Sequence, residues 1–128
     1  MRCFVDRCLS FRIANALQAL VDREHDVKSL DSMFAPNTPD VDWITRLAKD
    51  GDWRLITADN LWKTAQQKEV LKKSRLIAVW LSKGWGNQRP FLQASRLFQD
   101  WESIVETVVR AREGAWFELP FRGKIRPM

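Results

Sequence analysis

Only two cysteines and one histidine occur in the 128 residues, and no uninterrupted apolar run comes near the length of a membrane span. A bilayer helix needs about 20 apolar residues, so no membrane-spanning helix is expected. Cys3 and Cys8 fall in neither a metal-binding nor a redox spacing. With Cys3 in a strand and Cys8 in the loop after it, the two thiols are not placed to bridge, which points to a reducing compartment. Asp6 and Arg7 break the N-terminal apolar stretch before it can form the h-region of a signal peptide. A soluble, cytoplasmic protein is therefore expected. There is no internal repeat, low-complexity tract or Gly/Ser linker, so residues 1–128 read as a single domain. The lone histidine, His25, sits in a turn, and general-base chemistry is not expected from it.

What the chain does have is positive charge and aromatics. Lys and Arg number 21 against 16 Asp and Glu, for a formal charge of +5. A basic surface attracts nucleic acid or acidic membranes. The apolar fraction of 45% suits one core.

The apolar spacing alternates strand with helix. Arg2–Val5 reads as a strand, and Ser10 as the cap of a helix with Ile13, Leu17, Leu20 and Val21 on one face. A second strand follows at 26–30. Thr38 offers a cap and Pro39 a first helical residue for a helix through Trp43, Ile44 and Leu47, which stops at Gly51. The third strand is Trp53–Thr57. Residues 63–73 form a basic, exposed helix, and 75–81 a buried fourth strand. Pro90 opens a long helix over 90–113, closed by Gly114, and the tail at 116–125 adds an edge strand. Such alternation implies an α/β fold: three layers, with a central, mostly parallel sheet of four to five strands flanked by helices.

Three aspartates stand at the ends of these elements. Asp6 follows the first strand, Asp40 lies in the first turn of a helix, and Asp59 follows the third strand. The carboxyl ends of parallel strands share one edge, so these side chains are expected to converge there. Converging carboxylates repel unless a hard cation lies among them, and Mg²⁺ or Mn²⁺ takes oxygen ligands of this kind. Each acid also has a purely structural explanation. Asp40 and Asp42 complement the helix dipole, and Asp59 suits a cap before Asn60.

The order of the segments is more specific than any one of them. Phe4-Val5-Asp6-Arg7-Cys8-Leu9-Ser10 is followed by an amphipathic helix and then His25-Asp26-Val27. Thr38-Pro39-Asp40-Val41-Asp42-Trp43-Ile44 and Leu55-Ile56-Thr57-Ala58-Asp59 complete the series. Over roughly residues 3–81 this series resembles the PIN-like nuclease domains, and within them the VapC-type toxins of toxin–antitoxin pairs. The resemblance implies a PIN-like fold and a Mg²⁺- or Mn²⁺-dependent ribonuclease that hydrolyses RNA phosphodiesters. It implies Asp6, Asp40 and Asp59 as catalytic metal ligands, with Asp42 and Asp31 in reserve. Thr57 and Ser10 would hydrogen-bond a carboxylate or the substrate. An antitoxin partner follows from the same likeness. Two features depart from the pattern: no acid follows the fourth strand in Trp80-Leu81-Ser82-Lys83, and Arg7 stands where a small polar residue is common.

Arg7, Arg12 and Lys63 flank the acidic segments and are candidate RNA contacts, alongside the reading of a solvated face. Trp43, Trp80 and Trp101 fall at core positions. Trp62, Trp85 and Trp116 lie in less regular segments, suited to a protein interface or to stacking on bases. The long helix has a broad apolar face that could close the core, form a homodimer or accept an inhibitory partner. Two rival readings remain open: a catalytically inactive interaction module, and a receiver-like Mg²⁺-binding signalling domain.

Overall fold

In the computed structural model, which describes residues 1–21 and 23–128, β1 (Arg2–Val5) leads through α1 (Phe11–Leu20) to β2 (Asp26–Ser29). Then come α2 (Leu30–Met33), α3 (Asp40–Asp50), β3 (Trp53–Thr57), α4 (Ala65–Ser74) and β4 (Ile77–Leu81). The chain ends with α5 (Pro90–Val109), β5 (Trp116–Leu119) and β6 (Arg126–Pro127). One six-stranded sheet runs in the order β2-β1-β3-β4-β5-β6, parallel except for the antiparallel β6. The expected α/β layering is present, and the tail supplies two strands where the sequence suggested one. No helix among the described residues is long and apolar enough to cross a membrane.

Alternation along each strand divides the core in two, because successive side chains point to opposite faces. Cys3, Val5, Ile56, Val79 and Leu81 face α1 and α5, meeting Ile13, Leu17, Leu97 and Ile104. Phe4, Leu55 and Ala78 face the other way, against Trp43, Ile44 and Leu47 of α3 and Leu71 of α4. The chain moves in the same direction across the sheet from β3 to β4 and from β4 to β5, yet α4 and α5 cover opposite faces. The β4–α5–β5 crossover therefore has the opposite hand to β3–α4–β4, an uncommon arrangement in parallel sheets.

Trp85 accounts for the path of that connection. The sequence placed it in an interface or on bases, but it is fully buried in the α1–α5 core. Its indole N–H donates to the Leu119 carbonyl at 2.8 Å, and its own carbonyl accepts from Gln93 Nε2 at 2.9 Å. The loop is drawn onto this face because the largest apolar side chain in it finds both shelter and a hydrogen-bond partner there. Gly84 precedes it at φ +97°, with Phe121 Cβ only 3.0 Å from where a Cβ would stand, so both backbone and space require glycine. Trp62 packs edge-on against Trp80 and Trp116, with ring centroids 5.1 and 5.2 Å apart.

Several ends differ from the sequence expectation for local reasons. Thr38 does not cap α3: its hydroxyl donates to the Ala35 carbonyl at 2.8 Å, and Pro39 takes the cap position with no side-chain bond. Leu30 leaves the second strand to begin α2, because the Ser29 hydroxyl accepts the Ser32 N–H. Arg75 turns to φ +55° at the end of α4, so β4 starts at Ile77, and α5 ends at Val109.

The start of α4 is a capping box. Thr64 accepts the Gln67 N–H at 3.1 Å, and Gln67 Oε1 accepts the Thr64 N–H at 3.2 Å. Thr64→Ala is expected to lower stability by about 1 kcal/mol, read as a fall in the urea midpoint at unchanged slope. A change within measurement error would show that this helix is held by packing alone.

Candidate active site

The β2-to-β3 connection passes β1, so the strand order reverses between β1 and β3, and their carboxyl ends form the crevice where α/β sheets bind ligands. Asp6 is the first residue beyond β1, tied by its N–H to the Ile56 carbonyl at 3.0 Å. Thr57 ends β3 and is fully buried. Its hydroxyl donates to Asp6 Oδ2 at 2.9 Å and accepts the Asp59 N–H at 3.0 Å. One hydroxyl therefore joins the acid after β1 to the acid after β3, although they are far apart in sequence. Asp6 Oδ1 accepts the Arg7 N–H at 2.6 Å.

Asp6 is 5% exposed, and burial holds its carboxyl above the ordinary carboxylate range. The hydrogen bonds from Thr57 and the Arg7 N–H pull it back down, while the negative charges of Asp40 and Asp59 push it further up. Like charges raise a carboxyl in this way only when they lie close by. Asp40 and Asp59 thus both lie within electrostatic reach of Asp6.

Asp40 Oδ1 accepts the Trp43 indole N–H at 3.0 Å, and its Oδ2 lies 3.5 Å from Gln67 Nε2. The glutamine of the α4 capping box thus reaches the acid at the head of α3. Asp59 Oδ1 accepts the Asn60 N–H at 2.8 Å and lies 3.7 Å from Lys63 Nζ. Asp31, on α2, pairs with Arg7 at 3.2 Å, both half exposed. Asp42 is exposed in the first turn of α3. Ser10 caps α1 by accepting the Arg12 N–H at 3.2 Å. Arg12 lies over the Phe11 ring and faces the groove between α1 and α5. His25 lies at the opposite, amino end of the sheet, immediately before β2.

Sequence reasoning missed Cys8, Trp43 and Gln67 as neighbours of the acids. The Cys8 sulfur accepts the Ala58 N–H at 2.9 Å and lies 4.0 Å from the Thr57 hydroxyl. Although the residue as a whole is exposed, desolvation of its sulfur, with the Asp6 charge adding to it, pushes this thiol up to about 11, so it stays protonated at neutral pH. Its place two residues after Asp6 was the available signal. Trp43 stands three residues after Asp40 on one helix, a spacing that puts side chains side by side. Gln67 carried no such signal.

Among the described residues no group of three or more His, Cys, Asp or Glu side chains is arranged to hold a metal ion. The donor types nevertheless fit a hard divalent cation: three carboxylates, each with lone pairs beyond those its present donors use. What the arrangement lacks is closure. Asp40 and Asp59 lean toward Gln67 and Lys63 through contacts of 3.5 and 3.7 Å, long enough to exchange for a stronger ligand.

The fold and this site define an α/β domain with acids at the carboxyl edge of a mostly parallel sheet. A family model described as "PIN like domain" matches residues 1–83, from β1 through the end of β4, and the chain belongs to that family. The match stops before α5, so the reversed crossover and the last two strands lie outside it. No curated protein and no solved structure matches the chain.

Proposed function

We propose that this protein is a Mg²⁺- or Mn²⁺-dependent ribonuclease, acting as the toxin of a toxin–antitoxin pair with an antitoxin protein as partner. The observation that carries the nuclease reading is the Thr57 hydroxyl shared by Asp6 and the Asp59 backbone, beside acids close enough to raise the Asp6 carboxyl. Nuclease chemistry is the general property of the family, and the basic charge suits a phosphate-rich substrate. Asp6 and Asp59 would hold the ion, with Asp40 as a third ligand and Asp42 and Asp31 in reserve. When bound, such an ion supplies Lewis-acid charge at the phosphate and a nucleophile at neutral pH.

The remaining work falls to this chain's own groups. Thr57 fixes the Asp6 carboxylate through its hydroxyl and restrains the turn to Asp59. Lys63, exposed and only loosely paired with Asp59, would meet a phosphate oxygen at the rim. Arg7 would do the same after leaving Asp31. Membership of the PIN-like family sets aside the receiver reading. The inactive-module reading is favoured by one observation, the turn of Asp40 and Asp59 toward Gln67 and Lys63.

Single-stranded RNA incubated with the protein and Mn²⁺ should be cleaved. Cleavage should stop in EDTA, return on adding metal, and fall at least a hundredfold in Asp59→Asn, the scale of losing one preorganised electrostatic group. RNA binding without cleavage in any metal would instead establish the inactive module. Arrested growth on expression, relieved by a co-expressed neighbouring protein, would support the toxin role; unaffected growth would remove it.

A further inference from the structure

Trp62, Trp80 and Trp116 lie where the reversed crossover leaves the sheet bare. Trp80, two residues after Ala78 on β4, faces the α3–α4 side of the sheet, and Trp116 pairs with Ala78 on the same face. α4 is the last helix of that layer, because the next one, α5, packs on the opposite face. The end of β4 and the neighbouring face of β5 therefore carry no helix. Trp62 reaches across from the 58–64 loop and packs edge-on against both of the other rings.

All three rings are half-buried. Trp43 and Trp85 donate their indole N–H groups inside the protein, whereas those of Trp62, Trp80 and Trp116 have no partner among the described residues and are not buried. A cavity of about 360 Å³ opens beside them, lined by Trp62, Lys68, Leu71, Trp116 and Met128. That volume lies in the range of small-molecule sites. A flat ring with a free donor at its edge suits a group that is itself flat, apolar on its face and polar at its edge. An unpaired nucleobase has that chemistry.

Charge and position select a single nucleic-acid strand over a protein partner. Glu118 is the one acid of β5, and Arg126 neutralises it at 2.9 Å. Lys68, exposed on α4, makes no ion pair among the described residues. Trp62 is also tied to the acids: its N–H donates to Asn60 Oδ1 at 3.1 Å, in the same turn as Asp59. Of the large apolar side chains that are exposed, only Met128 borders the cavity, so there is no broad apolar patch here for a protein to bury.

We propose that Trp62, Trp80 and Trp116 form a stacking platform for the single-stranded RNA that leaves the acid site. One base lodges in the cavity between Trp62 and Trp116, and Lys68 meets a neighbouring phosphate. Trp116 and Met128 lie beyond the part of the chain that matches the family, so the platform belongs to this chain's own tail. The choice of RNA as occupant rests on the nuclease reading.

Fluorescence anisotropy of a labelled single-stranded RNA, titrated with the full chain in EDTA, measures binding without cleavage. Trp62→Leu should raise Kd about tenfold, the scale of losing one stacked base, and Trp62→Phe, which keeps a ring, should recover most of that loss. Duplex RNA, whose bases are hidden, should compete poorly. Lys68→Ala should lower the slope of log Kd against log salt by about 0.7, one phosphate contact on a single strand. Lys68 is exposed, so its variant should fold even where circular dichroism shows that Trp62→Leu does not. A wild type that binds no RNA would overturn the proposal, as would a folded Trp62→Leu of unchanged affinity or a salt slope unmoved by Lys68→Ala. A wild type that binds no RNA but holds a co-expressed antitoxin through Trp62 would overturn it too and assign the platform to that partner. Failure of the nuclease reading looks different: Trp62-dependent RNA binding would stand, with no cleavage in Mn²⁺.

Discussion

Asp6→Asn should abolish metal-dependent RNA cleavage, by about a thousandfold or more, and at the same time make the metal-free protein more stable at neutral pH. Both effects come from one buried charge. Asparagine keeps the shape of the side chain, and its oxygen can still accept the Arg7 N–H. Its amide can then donate to the Thr57 hydroxyl, which has a lone pair free beside the one used by the Asp59 N–H. The contact is kept with its direction reversed, the Thr57 hydroxyl hydrogen turning to the Cys8 sulfur at 4.0 Å, whereas the anionic ligand for a hard cation is lost. A loss of this size follows when a preorganised electrostatic group is removed from a dry site.

The stability gain follows from the sign of the Asp6 shift. Its carboxyl is raised from the ordinary 3.8, by burial first and then by the charges of Asp40 and Asp59. The folded protein therefore holds this proton more tightly than the unfolded chain does. As pH rises past 3.8 toward the raised value, Asp6 subtracts stability, and above that value the whole penalty is present. Asparagine has no charge to desolvate, so the variant should melt a few degrees higher than wild type at pH 7 without metal, and the two should converge in acid. Added Mn²⁺ should raise the wild-type melting temperature and leave the variant unchanged. A variant that still cleaves RNA, or that melts lower than wild type at pH 7, would contradict this account of the site.

Trp85→Ala should be the most damaging single substitution in the second half of the chain, costing about 3–5 kcal/mol. The side chain is fully buried, packs edge-on against Phe121 at 5.2 Å, and donates to the Leu119 carbonyl. Truncation leaves a cavity and removes one of the two donors to the Leu119 carbonyl, which keeps only the Ser82 N–H at 3.2 Å. Against a total stability of roughly 5–15 kcal/mol, the loss is a large fraction. Because the anchor joins the 82–89 loop to β5, the edge of the sheet should open first. Hydrogen exchange would show it as lost protection at Leu119 and in the residues paired with β5. A urea-measured loss under about 1 kcal/mol would mean that α5 alone holds this region.

Much of the candidate site could be read from local sequence. Asp6 and Asp59 end apolar runs with strand spacing, and in a parallel sheet that alone places them on one edge. Asp40 declares itself at a helix start, although Pro39, not Thr38, takes the cap position. Gln67 was not legible as a neighbour of the acids, and Cys8 was marked only by its place two residues after Asp6. Gln67 meets Asp40 only because α3 and α4 pack side by side, and a glutamine in a capping box looks the same whether or not its amide has a distant use. Cys8 meets Ala58 and Thr57 only because β1 and β3 are adjacent.

The amino-acid sequence by itself determined the alternation of strands and helices, the acids at their ends, and the basic balance of the surface. These follow from side-chain period, capping chemistry and charge, which act over a few residues or depend on composition alone. Only the tertiary structure decided that Thr57 ties Asp6 to Asp59, that Trp85 is core, and that α5 crosses to the face of α1 and leaves an open groove. Each of those depends on which strand lies beside which and which face a crossover takes. Such choices are settled by contacts between segments remote in the chain, where burying a tryptophan and satisfying its N–H outweighs the usual hand of a connection.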